Sequence, residues 1–321
     1  MRVLLLKYNK VTNESFERFA QNSDLQIVWA DLASFGRKMD VLNYGQVSDF
    51  LNRFTPLDAV MVGDIFWPTG QEICHWSAEH NVRCFFLQHG QWIYTVNKES
   101  PRYLPYCTCV YGDSIRKKIL SWSYGKRSRV EVTGNPRYDN LRCRDGDYIY
   151  FSPPVMLELN ASSKSVAHPK HEKMVRELQG LDQKHKVIIH PHYREGKQHI
   201  LRKIFPSAEF IEPEAPVLDA IADAKCVLTH RNSTVVLDAI ACRKQVVLMN
   251  FSGDSYYRTG HFAPFAVESS NFEECMRNLA KEPEVILDYE KRARSHLALE
   301  GASKKIEQLI KESGECQFVA Q

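Results

Sequence analysis

The sequence predicts an α/β protein built from two doubly wound parallel-sheet (Rossmann-like) domains that face each other across a cleft. Short apolar runs alternate with stretches of helical spacing along the chain, which is the pattern of parallel βαβ units. This alternation occurs twice, on either side of the polar stretch LRCRDGD at 141–147. A chain of 321 residues is also long enough for two domains, each with its own core.

The first series of elements predicts an N-terminal domain over residues 1–143. Apolar runs predict strands at 3–6, 26–29, 58–62, 82–87, 107–111 and 130–132. Helical spacing between these runs predicts helices at 13–21, 41–54, 69–80 and 114–122.

The second series predicts a C-terminal domain over residues 147–300. Strands are predicted at 148–151, 186–189, 210–211, 226–228 and 246–249, and the polar stretch 158–168 is expected to be a loop. Helices are predicted at 170–178, 198–204, 217–223, 235–242, 272–280, 288–299 and 303–311. Residues 301–321 form a terminal helix and tail, for which we consider packing back on the N-terminal domain.

Composition places the chain among ordinary globular proteins, with 44% hydrophobic and 25% charged residues. A net charge of +3 is too small to predict binding to nucleic acid. Nine cysteines occur without a CxxC pair, so we expect reduced thiols and a cytoplasmic location. No apolar run of about 18 residues predicts a membrane span. The chain also has no HExxH motif, no P-loop and no carboxylates at metal-ligand spacing, so we expect no metal.

Small and polar residues follow most of the predicted strands. Ligands of doubly wound sheets bind beyond the carboxyl ends of the strands, so these residues are the first candidates for a site. They are Gly63, Asp64, His89, Gly90, Gly112, Asp113, Gly134, Asn135, Ser152, His190 and the segment 230–234.

The stretch 224–251 predicts a strand, a polar turn, a helix and a second strand. The turn ends in Asn232, Ser233 and Thr234, and free backbone N–H groups at such a helix start bind anions. Ser233 or Thr234 is equally suited to capping the helix alone. Asp238, one turn further on, either reaches ribose hydroxyls or lies on a solvated helix face.

A second candidate for binding phosphate is His190, which follows a predicted strand and precedes Pro191. Its imidazole can donate to a phosphate oxygen and, as a cation, stabilise a departing phosphate; the alternative is a structural histidine. His192 and Arg194 follow closely, and Arg194 suits either a bidentate phosphate contact or a solvated surface. Ser152 follows another strand of the same domain.

Several short motifs together resemble a superfamily of nucleotide-sugar enzymes with the GT-B fold. The segment VTGNPRYD at 132–139 resembles the GNPRxD segment of bacterial cell-envelope glycosyltransferases, and IHP at 189–191 resembles the HP motif of their CMP- and CDP-donor members. NST at 232–234 stands where those families carry a Ser/Thr pair, and GAS at 301–303 resembles their recurrent C-terminal element. The relevant families are CDP-glycerol glycerophosphotransferases, capsule-type sialyl- and Kdo-transferases and, for a related segment, UDP-GlcNAc 2-epimerases.

The resemblance implies a glycosyltransferase that moves Kdo or sialic acid from a CMP-linked donor onto a surface polysaccharide or glycolipid. The nucleotide-sugar is a substrate, and no separate cofactor is expected. Epimerases carry a glycine-rich turn where this chain has 232–234, and CDP-glycerol enzymes carry different residues around 230–232, which favours a CMP-sugar. Glycerophosphotransferase, epimerase and catalytically silent binding module remain the alternatives.

The same resemblance assigns donor binding to the C-terminal domain and acid–base chemistry to the N-terminal one. Asp64 is a candidate base or covalent nucleophile, or a turn residue; His89 is a candidate general base. Asp113 is a further candidate that equally suits a helix start. Inverting and retaining mechanisms both remain open. Among the remaining strand-end residues, three are assigned to shaping the donor site or to building a turn: Gly134, Asn135 and Arg137.

Partners follow from the same assignment: a nucleotide-sugar donor, a glycan or lipid-linked glycan acceptor, and other polysaccharide-assembly enzymes. Basic residues at 116–118 and 126–129 would also suit peripheral contact with the inner face of the cytoplasmic membrane. A solvated helix face is the simpler interpretation of those charges.

Overall fold

The computed structural model describes most of the chain as two compact units. The described residues are 1–7, 10–32, 42–66, 68–88, 102–122, 125–159, 165–192, 195, 197–213, 215–230, 233–251, 262, 264–282 and 284–312. The first unit comprises Met1–Asn140 together with the residues from Glu290 onward, and the second comprises Leu141–Tyr289. Residues 290–300, assigned to the second domain in the sequence analysis, group with the first unit in this division.

The first unit contains a six-stranded, fully parallel sheet, as predicted. Its strands are β1 (Arg2–Lys7), β2 (Gln26–Asp31), β3 (Ala59–Val62), β4 (Arg83–Leu87), β5 (Cys107–Val110) and β6 (Arg129–Val132), in the order β2-β1-β3-β4-β5-β6. The first four helices are α1 (Lys10–Asn22), α2 (Tyr44–Leu51), α3 (Pro68–Glu79) and α4 (Asp113–Leu120).

Both faces of this sheet are buried, which explains the unbroken apolar strands in the sequence. Leu4 and Leu6 of β1 pack into one core, whereas Val3 and Leu5 pack into a second core on the opposite face. All four side chains are almost fully buried. Helices must cover both faces of a parallel sheet, so its strands lack an alternation of apolar and polar residues.

The second unit contains a second six-stranded parallel sheet and a short antiparallel hairpin. Its strands are β7 (Ile149–Ser152), β8 (Leu157–Leu159), β9 (Ser165–Ala167), β10 (Val187–Ile189), β11 (Glu209–Phe210), β12 (Cys226–His230), β13 (Gln245–Met249) and β14 (Ala266–Ser269). The order in the large sheet is β11-β10-β7-β12-β13-β14. The remaining helices are α5 (Pro169–Arg176), α6 (Leu181–Lys184), α7 (Gln198–Ile204), α8 (Val217–Ala222), α9 (Val235–Ala241), α10 (Phe272–Ala280), α11 (Tyr289–Ala293) and α12 (Ala302–Glu312).

Three predictions of secondary structure were wrong. The expected loop at 158–168 contains the hairpin of β8 and β9, and β14 was not predicted. The helix predicted at 288–299 ends at Ala293. Strands β8, β9 and β14 have three or four residues, which is too few for an alternation of apolar and polar residues to be recognised. The helix ends at Ala293 because the backbone after it forms hydrogen bonds with another segment of the first unit.

Each sheet has one point where the chain connections leave in opposite directions. In the first sheet this switch lies between β1 and β3, and in the second it lies between β7 and β12. Ligands of doubly wound sheets bind at the carboxyl ends of the strands at such a point. The fold therefore singles out Asp64 after β3 and, in the second unit, Ser152 and His230.

No helix in the described ranges is both long and apolar enough to cross a membrane.

Candidate functional site

A polar edge lies at the carboxyl ends of three adjacent strands of the second sheet. Strand β7 ends at Ser152, β10 is followed directly by His190, and β12 ends at His230. The register pairs Ser152 with Thr229, and Phe151 with Ile189, so the three strand ends lie level with one another. The hydroxyl of Thr229 donates to the carbonyl oxygen of Ser152 at 3.0 Å, which ties the two central strands together here.

His190 is held at both ring nitrogens. Nδ1 lies 2.9 Å from the hydroxyl of Tyr150, and Nε2 lies 3.2 Å from the carbonyl oxygen of Pro213. A carbonyl oxygen only accepts, so Nε2 carries the proton, and in the neutral ring Nδ1 accepts from Tyr150. The ring is 5% exposed. In this arrangement His190 positions the segment after β11, and a phosphate would have to replace Pro213 as the acceptor.

His230 is a neutral hydrogen-bonding group at physiological pH. Burial and, to a smaller extent, the nearby His171 and His192 together lower the pKa of His230 to about 3. The rings of His230 and His171 are 6.1 Å apart between centroids. An imidazole kept neutral donates a hydrogen bond through one nitrogen without adding positive charge.

Two histidines around α5 extend this edge, and the sequence analysis did not single them out. His168 and His171 stack with centroids 5.1 Å apart, and Nδ1 of His171 donates to the carbonyl oxygen of Val155 at 2.7 Å. That bond leaves Nε2 of the neutral His171 ring as an acceptor. The sequence does show His-Pro-Lys-His at a predicted helix start. That pattern alone does not predict a site, because the two histidines become candidates only through their position beside the neighbouring strands.

The segment that follows His190 is anchored by a buried carboxylate. Pro191 is buried and His192 is exposed. Glu195, 5% exposed, accepts from the backbone N–H of Met156 and from that of Lys197, each at 2.6 Å. His192 therefore lies between two residues whose side chains are hydrogen-bonded, His190 and Glu195.

The turn before α9 is built by Ser233. Its hydroxyl accepts from the N–H of Val235 at 3.3 Å, whereas Thr234 precedes the helix without a capping bond from its side chain. Asp238 is only 3% exposed, so it does not lie on a solvated helix face. Ser233 is 8% exposed.

In the first unit, Asp64 follows β3 at the switch point. Its Oδ1 accepts from the N–H of Phe66 at 2.8 Å, and the residue is 8% exposed. The preceding Gly63 is packed against Thr12, since a Cβ there would lie 2.6 Å from that side chain. Asp64 is thus both a turn residue and a buried carboxylate at the predicted end of the sheet.

The segment 134–137 builds a buried turn. The amide of Asn135 donates to the Gln88 carbonyl at 3.2 Å and to the Tyr111 hydroxyl at 3.1 Å, and its oxygen accepts from the Arg137 N–H at 3.0 Å. Arg137 is 2% exposed and pairs with Glu14 at 3.2 Å. Through these contacts Asn135 and Arg137 stabilise the buried turn of the first unit.

Two of the motifs that resemble those of the glycosyltransferases contact each other in this unit. The carboxylate of Asp139, from the segment 132–139, accepts from the N–H of Ala302 at 2.9 Å and of Ser303 at 2.8 Å. Those residues form the first turn of α12 and belong to the segment 301–303. The aspartate therefore satisfies two free N–H groups of the helix start and favours its dipole.

The segment 294–298, which comes from much later in the chain, packs against three residues that follow strands of the first sheet: Gly112, Asp113 and Gly134. The N–H of Asp113 donates to the Arg294 carbonyl at 3.1 Å, and the Ala298 N–H donates to the Tyr111 carbonyl at 2.7 Å. A Cβ on Gly112 would lie 2.4 Å from the backbone of His296. Asp113 starts α4 and pairs with Arg294 at 3.4 Å. These strand ends thus support the segment 294–298.

Three predicted site residues lie outside the described part of the chain: His89, Arg194 and Asn232. The strand-end residue Gly90 lies outside it as well. Among the residues that are described, no group of three or more His, Cys, Asp or Glu side chains has the arrangement of a metal site.

No protein-family model matches this sequence. No curated protein matches it either. Solved structures do resemble the fold. The UDP-GlcNAc 2-epimerase of Neisseria meningitidis, bound to UDP-GlcNAc, aligns with a TM-score of 0.60 at 13% identity, over 97% of this chain and all of that one. The wall teichoic acid polymerase TagF, in a variant soaked with CDPG, aligns with a TM-score of 0.60 at 11% identity over 97% of this chain and 88% of its own.

A plant enzyme resembles the chain to the same degree. Arabidopsis thaliana UGT89C1, complexed with UDP-L-rhamnose, aligns with a TM-score of 0.59 at 11% identity over 97% of this chain and 98% of its own. The class defined by these likenesses is the GT-B fold, in agreement with the two six-stranded parallel sheets.

Proposed function

We propose that this chain is a metal-independent glycosyltransferase that uses a CMP-linked acidic sugar, Kdo or sialic acid, as donor. The acceptor is a surface polysaccharide or a lipid-linked glycan. The observation that carries the proposal is the polar edge formed by Ser152, His190 and His230 at the switch point of the second sheet. Structures with this fold have been solved with UDP-GlcNAc, CDPG or UDP-L-rhamnose, which supports a nucleotide-linked donor.

The edge offers the chemistry that a departing nucleotide needs. When the bond between the sugar carbon and the phosphate oxygen breaks, the electron pair stays on the phosphate. Nε2–H of His190 is a preformed donor for that charge once the Pro213 carbonyl is displaced. His230, being neutral, adds a hydrogen-bond donor, and the exposed His192 adds a cation when protonated.

The acceptor side of the reaction is assigned to the first unit. The acceptor hydroxyl attacks the sugar carbon, and its proton passes to a general base. Asp64 is the proposed base because it is a buried carboxylate at the switch point of that sheet. His89 remains a second candidate for this role.

A glycosyl-transfer assay on His190 variants tests the proposal. His190→Ala should lower kcat about 100-fold, as the loss of one preformed donor to a developing anion does elsewhere. Tyr150→Phe removes the bond to Nδ1 and should lower kcat by about two- to tenfold. Release of CMP from CMP-Kdo or CMP-sialic acid, with a glycan acceptor, is the readout.

The matched control is His185→Ala. His185 caps α6 just before β10, at the opposite end of the strand that His190 follows. This variant should keep turnover within about twofold, because the expected effect depends on the carboxyl edge. Full activity in His190→Ala would refute the assignment of the site.

Asp64→Asn separates catalysis from binding. The amide keeps an oxygen to accept from the Phe66 N–H but cannot take a proton. Turnover should fall by about 10²- to 10⁴-fold, the usual contribution of a general base, while nucleotide binding is unchanged. Unaltered turnover would transfer the role to another group.

A peripheral contact with the membrane is a further part of the proposal. The basic residues around α4 favour it, although Arg129 pairs with Glu131 at 2.9 Å and Arg116 donates to the Val130 carbonyl at 3.0 Å. Lys117 lies in the last turn of α4, where a cation also suits the helix dipole.

A further inference from the structure

His171 is held in place beside the polar edge of the second sheet. It belongs to the first turn of α5, and its ring centroid lies 6.1 Å from that of His230 at the end of β12. Nδ1 of His171 donates to the Val155 carbonyl oxygen at 2.7 Å. The ring also stacks on His168, with centroids 5.1 Å apart. One hydrogen bond and two neighbouring rings therefore fix the imidazole next to the candidate site.

The backbone that accepts this hydrogen bond is itself anchored. Met156 follows Val155 directly and is fully buried. The N–H of Met156 donates to Glu195 at 2.6 Å, and its carbonyl oxygen accepts from the His168 N–H at 2.8 Å. A carbonyl oxygen only accepts, so the fold places the proton of the neutral His171 ring on Nδ1.

The other ring nitrogen of His171 is available to a ligand. With the proton on Nδ1, Nε2 of the neutral imidazole carries a lone pair and accepts a hydrogen bond. No residue in the described ranges bonds to this nitrogen. The adjacent carboxylate of Glu172 is engaged by Arg176 at 2.9 Å and by Lys197. His171 is partly exposed, so a small molecule has access to the ring.

An acceptor at this position suits the nucleoside of a nucleotide better than its phosphate. A phosphate oxygen is itself an acceptor and gains no hydrogen bond from a lone pair. The neighbouring His230 adds no positive charge, because its pKa is lowered to about 3. The nucleoside of CMP, in contrast, carries groups that donate: the ribose hydroxyls and the amino group of cytosine.

The order of the strands places this acceptor at a suitable distance from His190. Strands β10 and β12 flank β7, and neighbouring strands are about 4.8 Å apart, so the strand ends at His190 and His230 are separated by about 10 Å. A nucleotide whose phosphate lies at His190 therefore extends its nucleoside along the edge towards His230 and His171.

We propose that His171 determines specificity for the nucleoside of the donor, with Nε2 accepting a hydrogen bond from a ribose hydroxyl or from the amino group of cytosine. The assignment rests on the proposed function. It divides the edge into a phosphate side at His190 and a nucleoside side at His171.

The test is the affinity of the full chain for CMP, 2′-deoxy-CMP, 3′-deoxy-CMP and UMP, measured by calorimetry. A pH of 8 is chosen because it lies above the range in which histidine ordinarily titrates. The wild-type chain should bind CMP about tenfold more tightly than the analogue that lacks the recognised group. Weaker binding of a deoxy analogue identifies a ribose hydroxyl, and weaker binding of UMP identifies the amino group. Equal affinities for all of these nucleotides would overturn the proposal.

Two substitutions separate the acceptor nitrogen from the bond that supports it. In His171→Asn the amide nitrogen still donates to the Val155 carbonyl, but no atom replaces Nε2. This variant should bind CMP about tenfold more weakly and lose the preference for CMP. In His171→Gln the side-chain oxygen replaces the acceptor, which should retain part of the preference. A preference of unchanged size in His171→Asn would overturn the role of His171.

The control is His185→Ala, a partly exposed histidine at the opposite end of β10. It should keep both the affinity and the preference. The wild-type comparison does not require any variant to fold, and far-UV circular dichroism establishes the fold of each variant.

The same measurements distinguish failure of this inference from failure of the proposed function. Absence of binding to every nucleotide refutes both. Binding of CMP and its analogues with equal affinity refutes only the role of His171. His190→Ala should weaken all the nucleotides alike, because they share the phosphate, whereas His171→Asn should remove only the advantage of CMP.

Discussion

At the residue scale, the chemistry of a motif does not decide whether a residue binds a ligand or builds the fold. Asn135, Arg137 and Asp139 lie in the segment that resembles glycosyltransferases, yet each makes hydrogen bonds or an ion pair inside the first unit. His190 lies in a comparable position after a strand, but its partner Pro213 belongs to the irregular segment between β11 and α8. The contacts, rather than the motif, separate these cases.

We expect Asp139 to stabilise the folded state. Asp139→Ala leaves the N–H groups of Ala302 and Ser303 without their acceptor and should lower the free energy of unfolding by about 1–3 kcal/mol. Chemical denaturation measures the change, and Asp49→Ala, on the exposed side of α2, is the control that should change it little. Equal effects of the two substitutions would contradict the capping role.

His230 should make stability depend on pH. In the folded chain the pKa of His230 is lowered to about 3, whereas an unfolded histidine binds a proton near pH 6.5. The unfolded state binds more protons between these values, so this residue's contribution to stability falls as the pH is lowered through 6.5. The slope for one histidine is at most about 1.4 kcal/mol per pH unit.

His230→Gln removes that titration and keeps a polar side chain. Denaturation midpoints of the variant and the parent, compared near neutral pH and near pH 5, should converge as the pH falls because only the parent loses the histidine's contribution. An identical pH dependence in both chains would show that His230 is not kept neutral by the fold.

At the element scale, the strands were easier to predict than the segments between them. Parallel strands covered on both faces are continuous apolar runs, and all six runs of the first half became neighbours in one sheet. The partners of His190 could not be predicted in the same way. Tyr150 and Pro213 approach it only because β10 lies between β7 and β11, which is a property of strand order.

Gly134 follows β6 in a conformation that its packing requires. Its φ is +80°, and a Cβ would lie 2.3 Å from the Ala298 carbonyl oxygen. Gly134→Ala should therefore lower the free energy of unfolding by about 2 kcal/mol or more, since backbone strain and a backbone clash add.

Gly301 is the matched control for that prediction. Its φ is +65°, but a Cβ at this position would have no atom of the described residues within 4 Å. Gly301→Ala should cost only the strain, about 1–2 kcal/mol. A thermal or urea unfolding series compares the two variants, and a larger loss for Gly301→Ala would contradict the packing of the 294–298 segment against β6.

At the scale of the whole molecule, two sheets of the same class arise from one alternating pattern of elements. If the strands of the second sheet are numbered along the chain without the β8–β9 hairpin, their order is 3-2-1-4-5-6, which is the order of dinucleotide-binding folds. The order in the first sheet is 2-1-3-4-5-6, which is the other common order of doubly wound sheets up to its fifth strand. The sequence predicted both parallel sheets and the strand ends that carry the candidate site. It assigned residues 290–300 to the second domain, whereas they group with the first unit, because that grouping depends on long-range contacts.

The most direct test of the central claim is a thermal-shift measurement of the chain with CMP, CDP, UDP and GDP. A ligand that binds only the folded state stabilises it by about 2.7 kcal/mol at 100 times its Kd. We predict that CMP raises the midpoint most, that Asp64→Asn keeps this shift, and that His190→Ala reduces it. A preference for UDP, or no shift with any nucleotide, would contradict a CMP-linked donor at the His190 edge.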